Sequence, residues 1–565
     1  MLKRRDVDSP PVLRTPKRPR MSQGDHTDRI SALSDELLLQ ILSFLPLPSL
    51  LVCQQLSRRF HTLAGDSELW KRQYYSRWVR PRARRLASVR RALVPPSEVR
   101  YSPRVSTWLD HGHLAKKGIG TNWKKQYRLK YNWSKGVCRV TDIEIPQPSC
   151  RQMLVAFCAG IVFTVDLDHG LRAWPAEKLD NCVAMVSLTY PRLPLSPAPT
   201  AMAATSDPQR SLIEVAVGFE DGHFSVYNLD TGTLRLGLRF SCVGHAGEAI
   251  TAMASHSPYL LLVSQHKVLY LYKTTTDVNG TTGRSTNNTR LLISLKADNI
   301  LEPMSLSVRA AGSEIIVSIV YSLYHIGCGW SLGIQELHFD PDGQQIGSRL
   351  ATTVDCHYDV VPLDSRNHSS RECRTASYTT GRGTVPCTRP SNPLILHHDP
   401  PTSVSYSHPY LLASHVDNTL TVYLVVSTST SLTVKGCQRL WGHTSAVSTV
   451  QVSDRGRAIS VSDRGEDIRI WELESLASSL GGGKASRDGN SIQISPDNKI
   501  NRRPVNPDLV SESSYLDINT ARLSSVGFPR ALGIMRGCIG FDDERVLLCR
   551  ENEGGMQMLE CYDFT

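Results

Sequence analysis

Three groupings of residues in this chain have the types that chemistry uses, and in each the spacing fails. Gly481-Gly482-Gly483-Lys484 puts a lysine after a glycine run, as a phosphate cradle does, but Ala485 follows it, the earlier glycine of such a loop is missing, and the segment is rich in Ser and Gly. His397-His398-Asp399 offers metal ligands, yet adjacent residues on a strand point to opposite faces and no second ligand pair has matching spacing. The 14 cysteines stand singly, at 53, 138, 150, 158, 182, 242, 328, 356, 373, 387, 437, 538, 549 and 561, without a Cys-x-x-Cys pair, which argues against zinc. No nucleophile elbow, kinase signature set or His-Glu-x-x-His helix occurs. We therefore expect no catalytic residue, no metal and no cofactor.

The pattern that does carry information is apolar. Leu33, Leu37, Ile41 and Leu45 recur at fourfold spacing with Leu38 and Leu42 beside them, so one side of a short helix is apolar from end to end. Ser34 sits at the N-cap position, Asp35 and Glu36 complement the helix dipole, and Pro46 and Pro48 stop the helix. A second helix is expected from about Ser49 to Arg59 with Leu50, Val52, Cys53, Leu56 and Phe60, and a third around Ser67 to Trp78 with Leu69 and Trp70. Helices this short bury little among themselves, so apolar surface is left over to bind something.

These residues resemble an F-box. The family's Leu-Pro start, Glu-Ile/Leu-Leu helix, aromatic-Leu pair, Asp/Ser-Leu helix with Val-Cys, Arg-aromatic pair and closing Leu-Trp read here as Leu33-Ser34, Glu36-Leu37-Leu38, Phe44-Leu45, Ser49-Leu50, Val52-Cys53, Arg59-Phe60 and Leu69-Trp70. Ser34 replaces the family's proline, which removes one apolar contact. The resemblance implies docking onto the Skp-type linker subunit of a cullin-RING ubiquitin ligase.

At 565 residues the chain has room for two or three domains, and its 40% hydrophobic content suffices for a large core. The net charge of +11 is concentrated in residues 1–28, which hold Lys3, Arg4, Arg5, Arg14, Lys17, Arg18 and Arg20, and in residues 77–104, which hold nine arginines. Lys17-Arg18-Pro19-Arg20 has the composition of a nuclear import signal, so nucleus or cytoplasm, or both, are the expected compartments. The second stretch lacks the interleaved aromatics of nucleic-acid modules and reads as a charged helical linker, so no nucleic-acid partner is expected. No apolar leader opens the chain, and Ile315 to Trp330, its most apolar run, reads as paired buried strands, not a membrane span.

From about Asn132 short β-rich runs recur between turn residues. Leu440 to Leu473, with Gly442-His443 at its start and Trp471 at its end, resembles a WD repeat, in which a His, a strand hydroxyl, a turn Asp and the Trp form a buried network; the turn Ser462-Asp463-Arg464-Gly465-Glu466-Asp467 is one residue longer than the family pattern, which leaves open which Asp closes the network, with Asp463 the candidate. Degenerate copies carry Asp221 before Tyr227 with His245 beyond, Asp168 before Trp174, and Asp417 before Tyr423, each Asp six residues ahead of its aromatic. Such turns suit tight hairpins. With weaker segments at Leu260 to Tyr272, Ile315 to Phe339 and Arg545 to Phe564, the count reaches about seven blades.

The expected fold is multidomain, α then β: a basic tail over 1–28, a three-helix F-box over 29–78, a basic helical linker over 79–130 and a WD-repeat-type β-propeller over 131–565. Asn122-Trp123-Lys124-Lys125 and Asn132-Trp133-Ser134-Lys135-Gly136 look like the joining segment of F-box/WD-repeat proteins. Insertions near 191–209, 274–288, 362–393 and 478–514 are too long for blade loops and are expected as mobile excursions.

The resemblance implies a non-catalytic substrate receptor of an SCF-type ubiquitin ligase, partnered by the Skp-type linker, a cullin and a client protein on the propeller. In that family the client often carries a phosphorylated degron read by arginines, and Arg439, Arg455, Arg457, Arg464 and Arg469 are candidates by proximity to the best repeat. The alternative is a propeller scaffold assembling a nuclear or RNA-associated complex.

Overall fold

The computed structural model describes residues 30, 32–81, 122–144, 153–177, 181–188, 197–207, 211–242, 247–278, 285–296, 300–311, 314–357, 395–428, 430–453, 455–463, 465, 467–474, 491–496, 534–551 and 557–565. The chain divides into two compact units between Tyr75 and Ser76.

In the first unit α1 (Asp35–Leu42), α2 (Leu47–Leu56), α3 (Arg58–Ala64) and α4 (Ser67–Tyr74) follow one another through turns of a few residues. Ser34 occupies the N-cap of α1 but its side chain makes no capping bond. Pro46 and Pro48 do not end α1, which stops at Leu42; they open α2, as its N-cap and a first-turn residue, where a missing N–H costs nothing. The helix expected from Ser49 to Arg59 is two helices, broken where Ser57 turns extended (φ −156°, ψ 166°) and its hydroxyl accepts the Phe60 N–H. Asp66 caps α4 in the same way through the Glu68 N–H at 2.8 Å.

The second unit is a ring of seven β-sheets. Six have four strands joined in sequence: blade 1 over residues 154–186, blade 2 over 199–242, blade 3 over 250–296, blade 4 over 301–352, blade 5 over 403–440 and blade 6 over 447–493. Blade 7 takes Ile534–Phe541, Arg545–Glu551 and Gln557–Asp563 from the C-terminal end and Val137–Glu144 from far upstream, paired antiparallel with Arg139 opposite Asp563. Two distant parts of the chain thus close one sheet. The first strands of successive blades contact one another right round the ring.

Strand alternation explains why so much of the sequence is apolar. In blade 2, Ile213, Val215, Val217 and Phe219 pack on Phe163, Val165, Leu171 and Ala173 of blade 1, whereas Ala216, Phe224 and Val226 pack on Ile250, Leu260 and Leu262 of blade 3. A sheet with neighbours on both faces reads as a continuous hydrophobic run. The run from Ile315 to Trp330 is such a case, lying in the paired strands Glu314–His325 and Gly329–Phe339.

Helix α5 (Trp123–Lys135) crosses the boundary expected at residue 130 and packs on the propeller as one element. Asn122 caps its start through the Lys125 N–H, and Gly136 ends it at φ 67°, where an added Cβ would lie 2.2 Å from the Gln493 carbonyl oxygen. Trp133 stacks on Phe564 at 3.9 Å, donates to the Asp543 carbonyl at 2.7 Å and lies under the Arg457 guanidinium.

Parts of three expected excursions are strands instead: Pro199–Asp207 opens blade 2, Val268–Val278 and Ser285–Lys296 form a long hairpin of blade 3, and Ser491–Gln493 is the outer strand of blade 6. Their Ser, Thr and Ala content imitates linker composition, but backbone pairing is indifferent to it. The 1–28 tail, 362–393, 478–490 and 497–514 lie outside the described residues. No described helix is long and apolar enough to cross a membrane.

Candidate functional site

The residues expected to dock a partner split into two sets in the helical unit. Leu38, Leu42, Leu50, Leu69 and Trp70 face inward and form its core, Leu38 being 1% exposed. Leu37, Ile41, Val52 and Leu56 face outward, Leu37 at 54% exposure, and Leu33, Leu45, Cys53 and Phe60 are intermediate. The cause is the sequence DELLLQIL, whose apolar residues span more than half the helix circumference. A helix packed on one side can bury only one of its stripes. Two i,i+4 pairs, Leu37/Ile41 on α1 and Val52/Leu56 on α2, are therefore left in solvent. Phe44 and Leu51 are exposed as well. Neither was among the expected docking residues, although the place of Phe44, between the end of α1 and the prolines opening α2, could have signalled it. Apolar residues exposed together in this way mark an interaction surface.

The face is held by polar contacts behind and beside it. Arg59 on α3 reaches Asp35 through Nε at 2.9 Å and the terminal nitrogen at 2.6 Å, and donates to the Leu33 carbonyl at 2.6 Å, tying down the entry to α1. Trp70 Nε1 and Gln54 Nε2 both donate to the Ala64 carbonyl, at 2.9 and 2.8 Å. Arg72 donates to Ser43 Oγ at 3.1 Å and lies over the Phe44 ring at 5.9 Å.

On the propeller, the WD network is assembled in blade 6. Ser460 Oγ lies 2.5 Å from His443 Nε2 and accepts from Trp471 Nε1 at 2.7 Å, and His443 Nδ1 stands 3.2 Å from Asp467 Oδ2. The turn carboxylate is thus Asp467, not Asp463. The extra residue in the turn, which Ser462 and Asp467 close by a backbone bond at 3.0 Å, leaves Asp463 outside and exposed. Burial holds the His443 imidazole down at about 4, against the pull of Asp467.

Other blades keep fragments of this network. In blade 1, Trp174 Nε1 donates to Thr164 Oγ1 at 3.0 Å, and the buried carboxylate is Asp166, paired with Arg172 at 2.7 Å, whereas Asp168 sits in the turn. In blade 2, Asp221 caps its turn through the His223 N–H at 3.1 Å; Tyr227 is buried, and His245 lies outside the described residues. In blade 5, Asp417 caps its turn through the Thr419 N–H, and buried Tyr423 meets His357 Nε2 at 2.9 Å, while His415 Nε2 meets Thr421 Oγ1 at 3.1 Å. His397 stacks on His415 at 4.0 Å, and no metal-ligating cluster occurs among the described residues.

Each described candidate arginine has its own carboxylate neighbour. Arg469 pairs with Asp467 at 2.9 Å and donates to Ser491; Arg455 pairs with Asp543; Arg457 packs on Trp133 and faces Glu472 at 3.6 Å. Arg439 faces the Asp417 carboxylate at 3.7 Å, and Arg464 lies outside the described residues.

Two family descriptions match the chain: "F-box-like" over residues 31–76 and "F-box protein pof12 beta-propeller" over residues 138–565. The chain is 22% identical over 457 residues to F-box protein pof12 of Schizosaccharomyces pombe, covering 78% of this chain and 84% of that protein. It is 33% identical over 109 residues to F-box protein dre-1 of Caenorhabditis elegans, covering 19% of this chain and 10% of that much longer protein. Similar solved structures include the WD40 β-propeller domain of Doa1 (10% identity, 74% of this chain and 94% of that one, TM-score 0.32) and U3-55K (9%, 75% and 98%, TM-score 0.36).

Proposed function

Since this chain belongs to the F-box protein pof12 β-propeller family and carries an F-box ahead of its propeller, we propose that it is the substrate-recognition subunit of an SCF-type ubiquitin ligase. An F-box implies binding to an Skp1-type linker. The observation that carries the reading is the solvated face of Leu37, Ile41, Phe44, Val52 and Leu56 on a helical unit whose other leucines are packed away. The linker covers that face and brings a cullin with it, and the propeller holds the client. Transfer of ubiquitin then follows from proximity: a client lysine held beside an activated thioester reacts at a raised effective concentration, with no side chain of this chain in the chemistry. The Lys17-Arg18-Pro19-Arg20 run supports a nuclear share of the protein.

Purification from cells tests this. The wild-type chain retains the Skp-type linker and the cullin together, and a Leu37→Asp, Ile41→Asp double variant loses both while its propeller unfolds at the wild-type temperature. Retention of linker and cullin by the folded double variant refutes the reading.

A further inference from the structure

One rim of the propeller carries a second apolar surface, built around a cation. Tyr324, near the end of the second strand of blade 4, and Ile326, in the turn that follows, are both exposed, Ile326 at 96%. Tyr324 packs edge-on to Trp330 at 5.8 Å, and the Trp330 N–H donates to the His397 carbonyl, which places exposed Leu396 alongside. The Arg439 guanidinium lies 3.3 Å from His397 Nδ1, 3.7 Å from Asp417 Oδ2 and 5.8 Å from the ring of Trp441, itself 63% exposed. Val416, beside Asp417, is exposed too. Contacts through Trp330, His397 and Arg439 thus link Tyr324 of blade 4 to Trp441, just past the last strand of blade 5.

The charges select the occupant. Beneath Arg439 lie the buried imidazoles of His357, His397 and His415; burial drives each far down, His357 and His415 to about 4, so none is charged at neutral pH. The facing carboxylate, Asp417, is half exposed and beyond hydrogen-bond reach of Arg439, and its Oδ1 is engaged by the Thr419 N–H and hydroxyl. Among the described residues Arg439 is therefore a cation flanked by the Trp441 ring whose one carboxylate, Asp417, stands 3.7 Å away and half exposed. A carboxylate brought in by a partner beside an apolar side chain meets both halves of the surface, and desolvation strengthens the pair. A phosphate is the poorer fit: phosphopeptide sites gather several arginines, whereas Arg455 and Arg469 of the neighbouring blade are bonded to Asp543 and Asp467 and Arg457 packs on Trp133.

We infer that this rim is the client-docking surface, and that its occupant is an unphosphorylated peptide segment in which an aromatic or aliphatic anchor lies next to Asp or Glu. The inference rests on the receptor reading above and specifies its site. Panning a random-peptide phage library on the full-length protein tests it, followed by binding of the synthetic consensus peptide. An apolar residue beside Asp or Glu is the expected consensus. Its binding weakens about tenfold with Trp441→Ala and with Ile326→Ser, and Arg439→Gln removes the preference for Glu over Gln in the peptide. Phosphoserine in place of that Glu gains nothing. A basic or purely polar consensus, no consensus, binding indifferent to the three substitutions, or a gain on phosphorylation overturns the inference. All three variants keep the wild-type unfolding temperature and retain the Skp-type linker, so loss of the linker by wild type would indict the receptor reading instead.

Discussion

Ser460 stands where two buried nitrogens converge: it accepts from Trp471 Nε1 and meets His443 Nε2, so removing its oxygen leaves both without a partner. Ser460→Ala should lower propeller stability by about 2–4 kcal/mol, since each stranded buried polar group costs about 1–3 kcal/mol, as denaturant unfolding will measure. The two turn carboxylates of the same blade give a sharper contrast. Asp467→Asn should cost about 1–3 kcal/mol and Asp463→Asn less than about 0.5 kcal/mol, because only Asp467 faces His443. Equal losses would return Asp463 to the network. Buried histidines also set a pH dependence. His357, His415 and His443 titrate near 4 when folded, against an ordinary value of 6.5, so between these values the unfolded chain binds protons that the folded chain refuses. Stability is full above about 6.5 and falls as pH drops towards about 4. Glu336, held at about 2 by its hydrogen bonds and Arg309, keeps its charge throughout that window and does not offset the loss. Thermal unfolding at pH 7 and pH 5 checks this: an unchanged midpoint contradicts it. His443 and Trp471 were legible in the sequence because a Gly-His start and a Trp end are local signals, whereas the choice between Asp463 and Asp467 depends on how one extra residue is accommodated in a turn, which spacing does not encode.

Among the elements, α5 has the clearest energetic part. Its Trp133 is buried between Phe564, Arg457 and the Asp543 carbonyl, and Asn132 donates to the Phe564 carbonyl at 2.8 Å, so the helix grips the strands that close the ring. Trp133→Ala should cost about 3–5 kcal/mol and lower the unfolding temperature of the propeller, whereas Lys124→Ala, on the same helix, should change little. The sequence indicated a helix here but split it at residue 130, because the basic stretch before it resembles linker and the packing partner lies more than four hundred residues away. The first helices were legible in part. Periodicity gave α1, yet it could not tell which leucines turn inward, since Leu37 and Leu38 are adjacent and equally apolar; that choice is made by the surrounding helices. Strands of Ser, Thr and Ala such as Pro199–Asp207 are not readable from composition, because what makes them strands is their neighbours.

For the whole molecule, the division of labour follows from what each unit leaves uncovered. The propeller buries both faces of each blade against its neighbours, so what it offers to partners lies on its rims. The helical unit is too small to bury all its leucines and leaves one face of them in solvent. Repeat counting gave the seven-bladed ring correctly, but its closure by Val137–Glu144 was not readable, since that strand is defined only by its pairing with Gln557–Asp563. The central claim is that the solvated leucine face is the docking surface for the ligase linker. Titration calorimetry of a purified Skp-type linker with the full-length chain measures it: Ile41→Asp and Val52→Asp should each weaken binding about a hundredfold or more, and Leu350→Asp, on an exposed outer strand of blade 4, should leave the affinity unchanged. Wild-type affinity in both α1 and α2 variants would contradict the account.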